Sequence, residues 1–125
     1  MHAILDLPLA PEARRHVFSD AGAAAPDHLN AEALHAIRAH ERRGWIQSER
    51  AAQALEDLRD LPITRYPTLA VIGRAFELRH NFSAYDALYV ALAEELAASL
   101  VTADERLARA VGVHTAVEPV LLTIR

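Results

Sequence analysis

Cysteine is absent from all 125 residues, which excludes a disulfide scaffold, a thiolate-held zinc ion and a cysteine nucleophile. The same absence fits a reducing, cytoplasmic setting. Lysine is absent too, so all thirteen basic residues are Arg. A guanidinium grips phosphate through two parallel hydrogen bonds, and skewed codon usage accounts for the bias equally well. Glycine occurs only four times and never in close pairs, so neither a P-loop nor a dinucleotide fingerprint can be built. No GxSxG elbow occurs. No apolar run approaches the roughly 20 residues of a membrane span, and residues 1–11 lack the basic region of a secretory signal. A net charge of −4 leaves no global positive field to steer the chain to nucleic acid. What remains is 52% hydrophobic and 24% charged, enough apolar matter for a core at the length of one domain.

The apolar pattern alternates between helical and extended periods. Residues 9–19 have the composition of a short helix, and the Ala-rich stretch 21–25 reads as loop or edge strand. Asp27 suits an N-cap for a helix on which Leu29, Ala33, Ala36 and Ile37 recur, and Gly44 is placed to close it. Ser48 and Glu49 open another helix, carrying Ala52, Leu55 and Leu58 and stopping before Pro62. Ile63–Tyr66 leans towards strand. Pro67 opens a helix to about Arg79 with Leu69, Ile72, Ala75, Phe76 and Leu78 as its apolar set, and Asn81 is suited to the left-handed turn that breaks it. Ser83 caps a long helix from 84 to about 98. Ser99–Thr102 reads as a short buried strand, Asp104 opens a brief helix through Ala110, and 111–120 reads as a final strand region. This alternation predicts an α/β sandwich, a mostly parallel sheet flanked by helices.

Asp86 is the most informative residue. It is the only charged side chain from Ala84 to Ala93, and its helical neighbours Tyr89, Val90, Ala93 and Ala97 are largely apolar. A helix apolar around its circumference is buried as a rule, and a buried carboxylate needs a hydrogen bond, a cation or a metal ion. The plainer reading is a capping box, Ser83-x-x-Asp86, and the two are compatible. Asp104 falls just past a predicted buried strand, at the edge where ligands bind in open parallel sheets; it also reads as an ordinary N-cap. Thr102 can hydrogen-bond metal-bound water or simply finish the strand. Glu32 lies near the edge of its helix's apolar stripe and alone reads as a solvated side chain. Converging, these three carboxylates make a hard-oxygen site for Mg²⁺ or Mn²⁺, able to acidify water and to offset the charge of phosphodiester hydrolysis. The histidines offer no rival: His35 and His40 are five apart, His28 and His35 seven, and no HExxH occurs.

The run Arg74-Ala75-Phe76-Glu77-Leu78-Arg79-His80-Asn81-Phe82-Ser83-Ala84-Tyr85-Asp86-Ala87-Leu88-Tyr89-Val90-Ala91-Leu92-Ala93-Glu94 resembles the signature of VapC-type PIN-domain toxins. It is followed at the family's spacing by Leu100-Val101-Thr102-Ala103-Asp104-Glu105-Arg106-Leu107, and Ala25-Pro26-Asp27-His28-Leu29-Asn30-Ala31-Glu32 resembles the family's Pro-plus-Glu segment. The resemblance implies a PIN fold, an Mg²⁺- or Mn²⁺-dependent endoribonuclease acting on RNA, a small cognate antitoxin as partner, and a homodimer. Glu32, Asp86 and Asp104 match three of the family's acidic positions, as catalytic groups and metal ligands. Arg79 and Asn81 match recurring neighbours, for support or RNA contact. An acidic cluster repels RNA, so Arg79, Arg106 and Arg109 are the candidates for holding phosphates.

The family opens with a short hydrophobic strand carrying an Asp, in a pattern like VVDAS. Asp6, in Ile4-Leu5-Asp6, stands 26 positions before Glu32, which reads as too close for that strand and two intervening helices. The expectation is therefore a single PIN-like domain over 1–125 in which residues 1–6 form the tail of the first helix. Its first central strand and that strand's Asp would be missing, and the chain would be less stable and less active than one extended upstream. Two other readings stay open: a PIN-like module that binds an antitoxin or RNA without cleaving, and an unrelated helical interaction protein whose acids are scattered caps.

Overall fold

We describe residues 3–6 and 22–122 of a computed structural model. Five short strands form one sheet: β1 (Ala3–Asp6), β2 (Ala23–Pro26), β3 (Ile63–Tyr66), β4 (Ser99–Thr102) and β5 (Pro119–Leu121). Their order is β3-β2-β1-β4-β5, and every pairing described is parallel. The helices are α1 (Leu29–Arg42), α2 (Ser48–Asp60), α3 (Ile72–Glu77), α4 (Ala84–Glu95) and α5 (Glu105–His114), with a 3₁₀ turn over Thr68–Ala70. This is the α/β sandwich predicted.

β1 corrects the sharpest expectation. Ala3 and Ile4 pair with Ala23 and Ala24 on one side, and Ala3 to Asp6 pair with Ser99 to Thr102 on the other. The segment read as the tail of a helix is itself the central strand. The spacing argument fails because it reserves room for two helices. A parallel crossover needs only about a dozen residues, and residues 7–22 supply that length between β1 and β2. The helix expected over 9–19 lies outside the described residues.

β2 is likewise no loop or edge strand. It runs between β1 and β3, and its four residues are buried. An Ala-rich run has little intrinsic strand preference, and it is burial on both faces that holds it here. Asp27 does not cap α1: its N–H extends the β2–β3 ladder to the Tyr66 carbonyl at 2.8 Å, and His28 takes the N-cap position. In α2 it is Ala51 and Leu58 that are buried, with Ala52 exposed, so the stripe starts one residue earlier than predicted.

α4 is the helix around which the core forms. Ala87, Tyr89, Val90, Ala91, Leu92 and Ala93 are all buried, as a run apolar on every side requires. Ser83 caps it, its Oγ accepting the Asp86 N–H at 3.1 Å. The helix ends at Glu95, short of 98, in a Schellman turn. There Ala97 takes φ 49°, Ala97 N–H donates to the Glu94 carbonyl and Ala98 N–H to the Ala93 carbonyl. α3 is clamped to it by Arg74, whose Nε and Nη2 donate to the two carboxylate oxygens of Glu94 at 2.6 and 3.1 Å.

The helix after Pro67 differs from expectation in extent and facing. It begins as the 3₁₀ turn, and α3 stops at Glu77. Val71, Ala75, Leu78 and Phe82 face the core, whereas Leu69, Ile72 and Phe76 are exposed. Asn81 is not left-handed; among the described non-Gly residues only Ala97 is. The break after α3 is made by the N–H groups of Asn81 and Phe82, both donating to the Leu78 carbonyl. At the C-terminal end α5 runs on to His114, because Leu107 and Val111, one turn apart, are both buried against the core. The predicted strand region 111–120 shrinks accordingly to Pro119–Leu121.

Candidate active site at the carboxyl edge of the sheet

From β1 the chain builds outward through β2 and β3, then returns to place β4 on β1's other side. Such a reversal of strand order opens a crevice beyond the carboxyl ends of the strands. Three elements deliver acids to that edge. β1 ends at Asp6, whose backbone pairs with Thr102; β2 leads into α1 and Glu32; and β4 leads into Asp104. Asp86 joins them from the first turn of α4.

Asp104 caps α5, as the plainer reading held. Its Oδ1 accepts the N–H groups of Arg106 and Leu107 at 2.9 and 3.2 Å. Its own N–H donates to Oγ1 of the fully buried Thr102 at 3.0 Å, so that hydroxyl shapes the turn presenting the acid. Both cap bonds fall on one oxygen, and capping does not exhaust the carboxylate.

Glu32 stands in the first turn of α1, where the helix dipole favours an anion. The hydroxyl of Tyr89, a core residue of α4, donates to its Oε1 at 2.7 Å. His28 Nε2 lies 3.3 Å from the same oxygen. Among the described residues neither buried ring nitrogen of His28 has a hydrogen-bond partner, so that approach is a close contact and not a directed bond. The imidazole stacks on Tyr85 (centroids 5.8 Å, 27° between planes) and meets Tyr89 edge-on at 4.9 Å.

Asp86 is half-buried, and its carboxyl is pushed above the ordinary range. Burial is the largest cause, and the negative charges of Asp104 and Glu32 push the same way. The Ser83 hydroxyl and His28 pull it down, and burial prevails. Asp86 thus lies within electrostatic reach of both other predicted acids. An all-oxygen set in mutual repulsion suits a hard divalent cation. Among the described residues, no three His, Asp or Glu side chains are already gathered within reach of one ion. Glu32 contacts Tyr89 and His28, and Asp104 its helix amides.

The weaker candidates stand apart. Arg79 is exposed, its guanidinium 4.1 Å over the Phe76 ring and its Nη1 donating to the Phe76 carbonyl. Asn81 is exposed in the turn before Ser83. Arg106 is tied to the site through its backbone N–H, and its side chain and that of Arg109 are exposed. Sequence reasoning weighed Asp6 and set it aside on spacing, and it did not single out the contacts of His28, Tyr85 and the Tyr89 hydroxyl with this edge. The pairs His28–Glu32 and Tyr85–Tyr89, each four apart, were the available signal, since such pairs share a helix face.

The PIN domain family matches residues 3–113. Ribonuclease VapC1 of Mycobacterium tuberculosis is 46% identical over 89 residues, covering 70% of this chain and 67% of the relative. Ribonuclease VapC9 of the same organism is 43% identical over 82 residues, covering 66% and 65%. Ribonuclease VapC12, also of M. tuberculosis, is 35% identical over 94 residues, covering 75% and 73%. The matched stretch thus spans about 65% of the length of a curated relative such as VapC9.

Proposed function

This chain belongs to the PIN-domain family, in its VapC-type branch, and from that membership we propose that it is the endoribonuclease toxin of a toxin–antitoxin pair, dependent on Mg²⁺ or Mn²⁺. The observation that carries the reading is Asp86, a half-buried carboxyl raised by burial and by the charges of Asp104 and Glu32 at the carboxyl edge. Asp86, Asp104 and Glu32 would hold the cation, joined by Asp6 on the strength of its register beside Thr102. When bound, the ion supplies positive charge at the scissile phosphate and acidifies water there.

The chain's own residues set the rest. Ser83 fixes the first turn of α4 that carries Asp86. Thr102 and the first amides of α5 fix Asp104, and Tyr89 orients Glu32. Because the edge is acidic, arginines must hold the RNA phosphates, with Arg79, Arg106 and Arg109 in that role. A cognate antitoxin and a second copy of the chain are the partners. The exposed apolar stripe Leu69, Ile72 and Phe76, at helical spacing, supports a covered face. Among the described residues no helix is long and apolar enough to cross a membrane.

The test is RNA cleavage with Mg²⁺, with a chelator, and by Asp86→Asn. Cleavage is expected from the wild type with Mg²⁺ alone, and a fully active Asp86→Asn protein overturns the mechanism. A second reading, a PIN-like module that binds RNA or an antitoxin without cleaving, draws on the hold of Tyr89 and His28 on Glu32. It predicts binding indifferent to Mg²⁺ and no cleavage by the wild type.

A further inference from the structure

The tip of the α1–α2 hairpin carries an aromatic and cationic cluster that the acidic site does not use. α1 closes in a Schellman turn: Gly44 at φ 77° donates its N–H to the Glu41 carbonyl at 3.0 Å, and Trp45 donates to the His40 carbonyl at 2.9 Å. That turn fixes Trp45 beside His40, with ring centroids 5.2 Å apart, and the guanidinium of Arg43 lies 5.0 Å from the indole centroid. A small apolar residue would satisfy the turn's usual side-chain contact. Trp45 instead leaves 65% of its surface to solvent. Arg38 and Arg42, four apart, are exposed on the last turns of the same helix. No carboxylate among the described residues pairs with Arg38, Arg42 or Arg43. Residues 38–45 carry three Arg against the single acid Glu41, a local excess of positive charge in a chain of net charge −4.

We propose that this tip is a base-stacking subsite for single-stranded RNA, with Trp45 taking a base and Arg38, Arg42 and Arg43 the flanking phosphates. The choice of ligand rests on the ribonuclease reading. Exposed aromatic rings between arginines are how sequence-tolerant single-strand sites are built: bases stack on the ring while cations follow the backbone. Along α1, about 15 Å of helix separates Glu32 from Arg42. A strand of several nucleotides covers that span, so one RNA reaches both the acidic edge and the tip. The subsite places its grip away from the carboxylates, where phosphate binding is not opposed by their charge.

Trp45 is the chain's only Trp, so its fluorescence reads the site directly. The experiment titrates the full chain, with chelator present to prevent cleavage, with a single-stranded RNA oligomer and with its abasic counterpart. The RNA is expected to quench Trp45 emission and the abasic strand is not. Trp45→Ala is expected to bind the RNA about ten-fold more weakly and to raise KM for cleavage, while Trp45→Phe retains most of the binding. Because the ring is exposed, melting temperatures of all three proteins should agree. Quenching by RNA without cleavage by the wild type upholds the subsite and removes the ribonuclease reading. Cleavage by the wild type, with no quenching and an unchanged KM in Trp45→Ala, overturns the subsite and spares the ribonuclease. Trp45 emission that responds to protein concentration or to a protein partner, and not to RNA, overturns it in favour of a protein contact.

Discussion

At Asp86 two demands oppose each other. The first turn of α4 is a favourable place for an anion, and Ser83 bonds to it, yet burial and two neighbouring carboxylates resist the charge. The folded-state pKa therefore lies above the ordinary 3.8. The sign follows from linkage: the folded chain binds this proton more tightly than the unfolded one. The contribution favours folding below 3.8 and is lost as pH rises through the raised folded value. Without a divalent cation, Asp86→Asn should melt above the wild type at neutral pH, with the gap closing as pH falls through that window. Melting curves across pH check this, and a gap that widens on acidification would refute it. Adding Mg²⁺ should stabilise the wild type more than the variant, through binding to the folded state. Tyr89→Phe tests the neighbouring acid. Losing a 2.7 Å bond to Glu32 should cost roughly ten-fold in metal affinity or cleavage rate, as outer-shell partners do, readable by calorimetry or RNA turnover.

Helix ends are where the elements differ from their ideal sequences. Gly44 and Ala97 occupy equivalent left-handed positions in two Schellman turns, one filled by the residue suited to it and one not. A left-handed L-residue costs about 1–2 kcal/mol, and Gly loses part of that advantage to chain entropy. Ala97→Gly should accordingly raise stability by about 0.5–1 kcal/mol, measured by denaturant unfolding, with cleavage unaffected. α4 illustrates how an element becomes legible. Its run of apolar residues with a single acid could be read as a buried helix carrying a functional carboxylate, because both features are local. The facing of α3 was less legible: Leu69, Ile72 and Phe76 are as apolar as Val71, Ala75 and Leu78, and only packing against α4 decides which set is buried.

Across the whole molecule, β1 joins the two halves of the sheet: β2 and β3 on one side, β4 and β5 on the other. Its removal would leave ladder groups of both neighbours unpaired. A chain lacking residues 1–6 should lose cooperative unfolding, and a truncated protein melting sharply at the wild-type temperature would refute that role. The same strand brings Asp6 to the edge where Thr102 ends β4. Asp6→Asn should therefore impair cleavage as Asp86→Asn is expected to, in the same RNA assay.

The local chemistry was determined by the sequence alone: an alternating α/β chain, a buried acid at the start of an apolar helix, a second acid after a buried strand, and no material for thiol, P-loop or thiolate-zinc chemistry. Those features depend on residues a few positions apart. What only the tertiary structure decided depends on pairs distant along the chain. Spacing could not reveal that Ala3–Asp6 is the central strand, because the length needed for a crossover is set by how strands pack and not by the sequence between them. Nor could it show that Tyr89 of α4 reaches Glu32, 57 positions earlier, or that burial and two remote carboxylates raise Asp86. Burial and charge interaction are properties of the folded arrangement, and they come into being only when the sheet brings those elements to one edge.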